Sequence, residues 1–263
     1  RGGGEGWDLS TDLKRDAQTA AAKSRIQSNA NAAAEVANYE DGQHQLELSK
    51  EEEDMVKYAT ENYAKTVVVI NSSHAMELGR LEDNAGVDAV LWVGSPGAEG
   101  YRSLGGILSG AVNPSGRTAD IYAADFTADP SFPNVGMFEY TGLSEGDVAE
   151  GTLKQSDKAW TMQYEEGIYV GYKYYETAHA EALKGNYSGF DYDSAVVYPF
   201  GYGLSYTTFE QSMALTENGD GIDVEVTVKN TGDRDGKCAV QLYYTPPYAS
   251  GGIEKAEVNL IAV

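Results

Sequence analysis

Apolar and polar positions give the chain its outline before any single residue is singled out. From Ala89 to Val93 five apolar residues run consecutively and end at Gly94, the pattern of a short strand buried on both faces of a parallel sheet. Pro96, Gly97 and Gly100 then turn the chain. Tyr101, Leu104, Ile107 and Leu108 recur at helical spacing, which predicts a covering helix that stops at Asn113-Pro-Ser-Gly. Val67 to Ile70 is a second apolar run of the same kind, so the two runs are expected as neighbouring parallel strands joined by a crossover. Upstream, Ser49 with Glu52 forms a capping box, and Met55, Val56, Tyr58 and Ala59 carry an amphipathic helix to about Tyr63.

Elsewhere the pattern weakens or changes period. Thr11 to Glu35 is rich in Ala, Gln and Asn with little apolar stripe, the pattern of a solvated helix or a mobile insertion. Asp120 to Gly167 mixes aromatic and acidic residues with Gly and Pro without a sustained period, so it reads as a long surface excursion. Ile222 to Val228 alternates strictly, Asn230 to Gly236 is a turn, and Ala239 to Tyr244 is the next strand.

Composition narrows the function classes. With 41 acidic against 19 basic residues the formal charge is −22, which disfavours nucleic acid and anionic membrane surfaces as partners. Cys238 is the only cysteine, so neither an internal disulfide nor a Cys-based zinc site can form. His44, His74 and His179 are scattered, with no HExxH string, and neither a metal nor a cofactor is expected. No apolar run reaches the ~18 residues of a membrane span. Nineteen tyrosines supply flat faces with polar tips, suited to sugar recognition as well as to ordinary packing.

Three stretches carry candidate chemistry. Arg1 to Leu9 surrounds the carboxylate of Glu5 with four glycines, a loop able to wrap closely around a small polar molecule. Glu99, in Pro96-Gly-Ala-Glu-Gly100, is a rival carboxylate at the carboxyl end of a strand, where ligands gather in open α/β sheets. Gly142-Leu-Ser-Glu-Gly146 fits the G-x-S-x-G elbow of serine hydrolases, yet neither a buried strand before it nor a helix after it is present, so a serine esterase on Ser144 is the weaker reading. Asn71-Ser-Ser is a glycosylation-type triplet that reads rather as a loop ending a strand.

Several of these strings, in one order, resemble a known family. Glu5-Gly-Trp-Asp8, Leu46-Glu-Leu-Ser49, Pro96-Gly-Ala-Glu-Gly100, Asn113-Pro-Ser-Gly-Arg117, the segment from Tyr164 to Tyr175 and the segment from Tyr198 to Phe209 are similar to the second domain of family 3 of the glycoside hydrolases, mostly retaining β-glucosidases and β-xylosidases. The resemblance implies an α/β fold, a mostly parallel α/β sandwich sheet over residues 1–205, incomplete on its N-terminal side, followed by the start of an all-β fibronectin-III-like sandwich over residues 206–263. It implies that residues 11–42 are an insertion, since the family runs more directly from the first of these strings to Leu46-Glu-Leu-Ser49, that Glu5 is the general acid/base and that Trp7, Asp8 and Arg1 contact a β-glucoside or oligosaccharide substrate. The nucleophile would be an Asp on a (β/α)₈ barrel domain of the same protein that these residues do not contain. A β-xylosidase or β-N-acetylglucosaminidase of the same family, or a non-catalytic carbohydrate-binding or scaffold module, are the alternatives, and a homo-oligomer is compatible with each.

Overall fold

The structure, a computed structural model, describes residues 43–44, 46–134, 138–139, 160–161 and 163–263. The loop from Arg1 to Leu9, the insertion 11–42 and the elbow-like segment 142–146 lie outside the described residues.

The first helix, α1 (Lys50–Asn62), begins as its sequence dictates. The Glu52 amide donates to Ser49 Oγ at 3.4 Å and the Ser49 amide donates to Glu52 Oε2 at 2.8 Å, so two otherwise orphaned donors are satisfied reciprocally. Glu51, Glu52 and Glu53 complement the positive end of the helix dipole. Val56 alone is buried, so α1 rests on the core through a narrow contact.

Strand β1 (Val67–Ile70) pairs in parallel with β2 (Ala89–Trp92), with Val67 opposite Ala89 and Ile70 opposite Trp92. Just before them the Thr66 amide donates to Asp88 Oδ2 and the Asp88 amide donates to the Thr66 carbonyl, both at 2.8 Å. Lys65 and the Thr66 amide hold the Asp88 carboxyl below its ordinary range. The parallel pairing is the expected one, but burial on both faces is not. Val67 is 43% exposed on one face of the ribbon, and Trp92 is 40% exposed at the end of the other, the face that carries Val68, Ile70 and Val90 onto the core. The core on that side joins Leu48, Val56, Ile70, Met76, Leu78, Leu81 and Tyr122, with Leu81 carried by α2 (Gly79–Glu82) in the crossover.

The covering helix expected after β2 is broken into α3 (Gly97–Gly100), a 3₁₀ turn (Tyr101–Ser103) and α4 (Leu104–Leu108). Gly97, Gly100, Gly105 and Gly106 explain the fragmentation, since each lowers helix stability by about 1 kcal/mol relative to Ala. No residue of the 3₁₀ turn or α4 is buried.

The stretch from Asp120 is not wholly a surface excursion. Ile121, Tyr122 and Ala123 are 2%, 3% and 0% exposed, and β3 (Tyr122–Ala123) pairs antiparallel with β6 (Val196–Tyr198). A three-residue run is too short to display a period, which is why the sequence pattern hid it. Strands β4 (Phe138–Glu139) and β5 (Trp160–Thr161) form a further antiparallel pair. Helix α5 (Tyr172–Leu183) starts after Gly171, whose φ of 56° favours glycine, and buries Tyr175 and Ala178. Tyr175 joins Ile121, Ala123 and Val196 in a second core cluster, just before which the short helix α6 (Tyr192–Ala195) leads into β6.

Beyond β6 the residues Tyr198 to Phe209 lie against the Asn113–Thr118 loop. The Thr118 amide donates to the Tyr202 carbonyl at 2.8 Å, the Gly201 amide to the Thr118 carbonyl at 2.9 Å, and Thr118 Oγ1 to the Pro199 carbonyl at 2.7 Å. Strands β7 (Phe209–Asn218) and β8 (Gly221–Asn230) then form an antiparallel hairpin in unbroken register, turning at Gly219 with φ 61°. Met213, Leu215, Val224 and Val226 lie on one of its faces by register. Strand β9 (Leu242–Tyr244), shorter than the expected 239–244, pairs antiparallel with β10 (Asn259–Ala262) across a bulge. Among the described residues, then, one strand pair is parallel and four are antiparallel, so a mostly parallel sheet is met only by β1 and β2.

Candidate functional site

Arg1, Glu5, Trp7 and Asp8, the residues singled out from the sequence, lie outside the described residues, so the structure brings none of them together. The rival Glu99 is described. Its exposed carboxylate pairs with Arg102 Nε at 2.8 Å in a solvated ion pair.

The polar cluster that the fold does assemble grows from the carboxyl end of β1. Ser72, 1% exposed, donates through Oγ to the His74 carbonyl at 2.9 Å. Trp92 at the end of β2 donates through Nε1 to the Ser72 carbonyl at 3.0 Å, which ties the two strand ends together. The loop then runs through Ala75 and Met76 to Glu77. There the Glu77 amide donates to the Leu46 carbonyl at 2.8 Å, and Glu77 Oε1 accepts from the Phe126 amide at 2.7 Å.

The same oxygen lies 3.1 Å from His44 Nε2. His44 is 2% exposed, and its Nδ1 accepts from the Leu46 amide at 3.3 Å. An accepting Nδ1 places the ring proton on Nε2, directed at Glu77. The His44 amide donates to Glu47 Oε2 at 2.8 Å, and Phe132 packs edge-on against the imidazole with ring centroids 5.2 Å apart. Around this pair opens a cleft of about 380 Å³ whose lining includes Arg80, in an ion pair with Glu53, together with Asp125 and Thr127. Asp125 is itself fixed, accepting from the Thr127 amide at 2.8 Å.

This arrangement orients groups rather than releasing a nucleophile. Each carboxylate described in it has a donor, and the imidazole is held by contacts to both ring nitrogens. Chemically it is a latch: it fastens the segment preceding α1, which follows the glycine-rich loop and its insertion in the chain, onto the carboxyl end of β1. Sequence reading counted His44 among scattered histidines and passed over Glu77. The available signal was that His44 stands two residues before the Leu46-Glu-Leu-Ser49 string.

Burial perturbs the tyrosines of the two cores. Tyr122 is pushed up to about 12, by desolvation first and then by the charge of Asp120. Tyr198 is also raised, by desolvation and by its hydrogen bond to Glu82. Asp120 is raised by desolvation despite the Ile121 amide that bonds it.

Known proteins agree with the motifs. The model of the Glycosyl hydrolase family 3 C-terminal domain matches residues 9–172, more than half of the chain, and the chain belongs to this family. Beta-glucosidase A of Butyrivibrio fibrisolvens is 33% identical over 221 residues, covering 78% of this chain and 23% of that protein. A beta-glucosidase of Bacteroides ovatus is 36% identical over 182 residues, 67% of this chain and 20% of its own length. An exo-alpha-(1->6)-L-arabinopyranosidase of Bifidobacterium longum is 32% identical over 195 residues, 73% of this chain and 21% of that one. The crystal structure of a beta-glucosidase from Paenibacillus barengoltzii superposes with a TM-score of 0.60 at 28% identity, covering 81% of this chain and 20% of that one. Thus the chain spans about a fifth of the length of the curated relatives that it matches.

Proposed function

We propose that this chain is part of a retaining β-glycosidase, a β-glucosidase that removes terminal non-reducing β-D-glucosyl residues, and that Glu5 is its general acid/base. The observation that supports the glycosidase reading is the family match over residues 9–172 together with relatives that are themselves beta-glucosidases, while the role of Glu5, which precedes that match, rests on the resemblance of Glu5-Gly-Trp-Asp8 alone. In such a reaction two carboxyl groups stand about 5 Å apart across the glycosidic bond. Glu5 gives its proton to the departing oxygen while an Asp from a (β/α)₈ barrel domain of the same protein attacks the anomeric carbon. Glu5, now a carboxylate, then takes a proton from the water that hydrolyses the glycosyl-enzyme. The glycines around Glu5 permit close approach to the sugar, with Trp7 offering a stacking face and Asp8 and Arg1 polar contacts.

In this reading residues 1–205 form the α/β sandwich domain and residues 206–263, with the β7–β8 and β9–β10 pairs, begin a fibronectin-III-like domain. The arabinopyranosidase relative favours a second reading of the sugar alone: a related domain serves a different pyranoside, so β-xylosides and β-N-acetylglucosaminides belong in the substrate panel.

The test compares leaving groups. In the full-length enzyme Glu5→Gln should lower turnover of an alkyl β-glucoside by about 10²–10⁴-fold. Turnover of a dinitrophenyl β-glucoside, whose leaving group departs without a proton, should fall much less, and added azide should restore part of it. Near wild-type turnover of both substrates would remove Glu5 from the role. Sugar binding without any hydrolysis by the wild-type enzyme would favour the non-catalytic module.

A further inference from the structure

A second cleft, of about 430 Å³, runs along helix α5. Tyr174 and Glu181, two turns apart on one helical face, form its floor. Glu166 and Tyr169 rise from the turn before the helix, and Asn186 and Tyr187 from the turn after it, so a single helix and its two flanks supply most of the lining.

Its polar groups are held in place before any ligand arrives. The Glu181 carboxylate accepts from Lys184 Nζ at 2.9 Å and from Asn186 Nδ2 at 2.7 Å. Glu166 accepts from the buried Asn134 amide at 2.9 Å. The Tyr187 ring lies nearly parallel to Phe190, with centroids 5.8 Å apart at 16°, and its hydroxyl is 3.5 Å from that of Tyr174. Binding therefore requires little further ordering of these side chains.

The lining selects its ligand by chemistry. No Lys or Arg lines it, and the neighbouring Lys184 ammonium is already paired with both Glu181 and Glu257, so a phosphorylated or carboxylated ligand is disfavoured. Its carboxylates do not converge on a cation, since among the described residues no group of three or more His, Cys, Asp or Glu could hold a metal ion. Flat tyrosine faces beside fixed carboxylate and amide groups suit a neutral ring that has an apolar C–H face and hydroxyls around its rim.

We infer that this cleft is a second saccharide-binding site, for a neutral pyranose unit or short oligosaccharide, using none of Arg1, Glu5, Trp7 or Asp8. The choice of sugar rests in part on the glycosidase reading above. Tyr187 is the stacking platform, and Glu181 is the acceptor for ring hydroxyls.

The experiment titrates the full-length enzyme with cellotetraose by calorimetry, both untreated and after a 2-deoxy-2-fluoro-β-glucoside has trapped the catalytic pocket as a glycosyl-enzyme. Cellotetraose should still bind the trapped enzyme. Tyr187→Ala and the isosteric Glu181→Gln should each weaken that binding by at least about tenfold, the scale of a lost hydrogen bond to a charged group. Tyr187→Trp, which keeps a stacking face, should retain it. Unchanged affinity in both Tyr187→Ala and Glu181→Gln, or no binding once the pocket is trapped, overturns the second site. Failure to trap or to hydrolyse any glycoside overturns the retaining-glycosidase reading instead, and the two variants then decide the cleft on the untreated enzyme.

Discussion

The side chain of Asn113 takes the place of a strand partner for Tyr206: its Oδ1 accepts the Tyr206 amide at 2.8 Å across 93 residues of chain. The same oxygen accepts from Ser205 Oγ at 3.1 Å, while Nδ2 donates to the Asp235 carbonyl at 3.0 Å. One amide thus joins two sequence strings, Asn113-Pro-Ser-Gly and the segment from Tyr198 to Phe209, to the turn after β8. Asn113→Ala should destabilise the chain by about 1–3 kcal/mol, because three partners lose their hydrogen bonds in a half-exposed setting. Asn113→Asp keeps the acceptor and loses only the donor, so its cost should be smaller. Urea unfolding of both variants checks the order, and equal stability of Asn113→Ala and wild type would refute the joint.

Two glycines, Gly203 and Gly105, should respond in opposite directions to the same change. A Cβ at Gly203 would collide with the Gly116 carbonyl oxygen and the Arg117 side chain, so Gly203→Ala must push backbone against backbone and should cost about 1–3 kcal/mol. A Cβ at Gly105, inside α4, would meet nothing within 4 Å. Gly105→Ala should therefore stabilise by about 0.5–1 kcal/mol through helix propensity and a less flexible unfolded chain. Thermal melts of the pair give the signs directly.

Glu77 serves two donors at once, the Phe126 amide and His44 Nε2. Glu77→Ala strands both in a buried setting and should cost about 2–4 kcal/mol, whereas Glu77→Gln keeps a carbonyl acceptor in the same place and should cost appreciably less. If the two substitutions cost the same, the latch is not what this carboxylate supplies.

High pH should unfold the protein from its cores outward. Tyr122, Tyr174, Tyr175, Tyr192 and Tyr198 are all raised above the ordinary value of 10.0, by burial in the first place. Their protons leave the unfolded chain more readily than the folded one. The stability they contribute is therefore complete below about pH 10 and is lost as pH rises through the folded value, about 12 for Tyr122. Tyrosinate absorbance should lag behind that of the denatured chain above pH 10 and then rise together with loss of circular dichroism. Free titration of all tyrosines in the folded state would contradict this.

Local signals in the sequence survived into the structure, and long-range ones mostly did not show. Ser49 and Glu52 are three residues apart, so their capping box could be read directly, as could the apolar runs that pair as β1 and β2. The strict alternation of Ile222 to Val228 likewise appears as β8. The expected helix over Tyr101 to Leu108 is present but interrupted, a 3₁₀ turn followed by α4, because its apolar spacing favours a helix while its glycines weaken it. His44 and Glu77 meet only because the fold carries the loop after β1 past the start of α1, and no local pattern records such a meeting. Glu5 and its neighbours were legible only as a string resembling a family, and the described residues leave them untouched.

The pairing of Tyr122 with Tyr198 closes a ring of chain at its neck. Both core clusters draw a residue from β3, Tyr122 for one and Ala123 for the other, so the packed interior needs the neck to be shut. What the ring contains matters far less: loop-closure entropy grows only logarithmically, by about 0.6 kcal/mol for each doubling of length. Between β3 and α5 this architecture can accordingly gain sequence at low entropic cost, provided that the two short strands still meet and that Phe126, Phe132, Glu166 and Tyr169 keep their places.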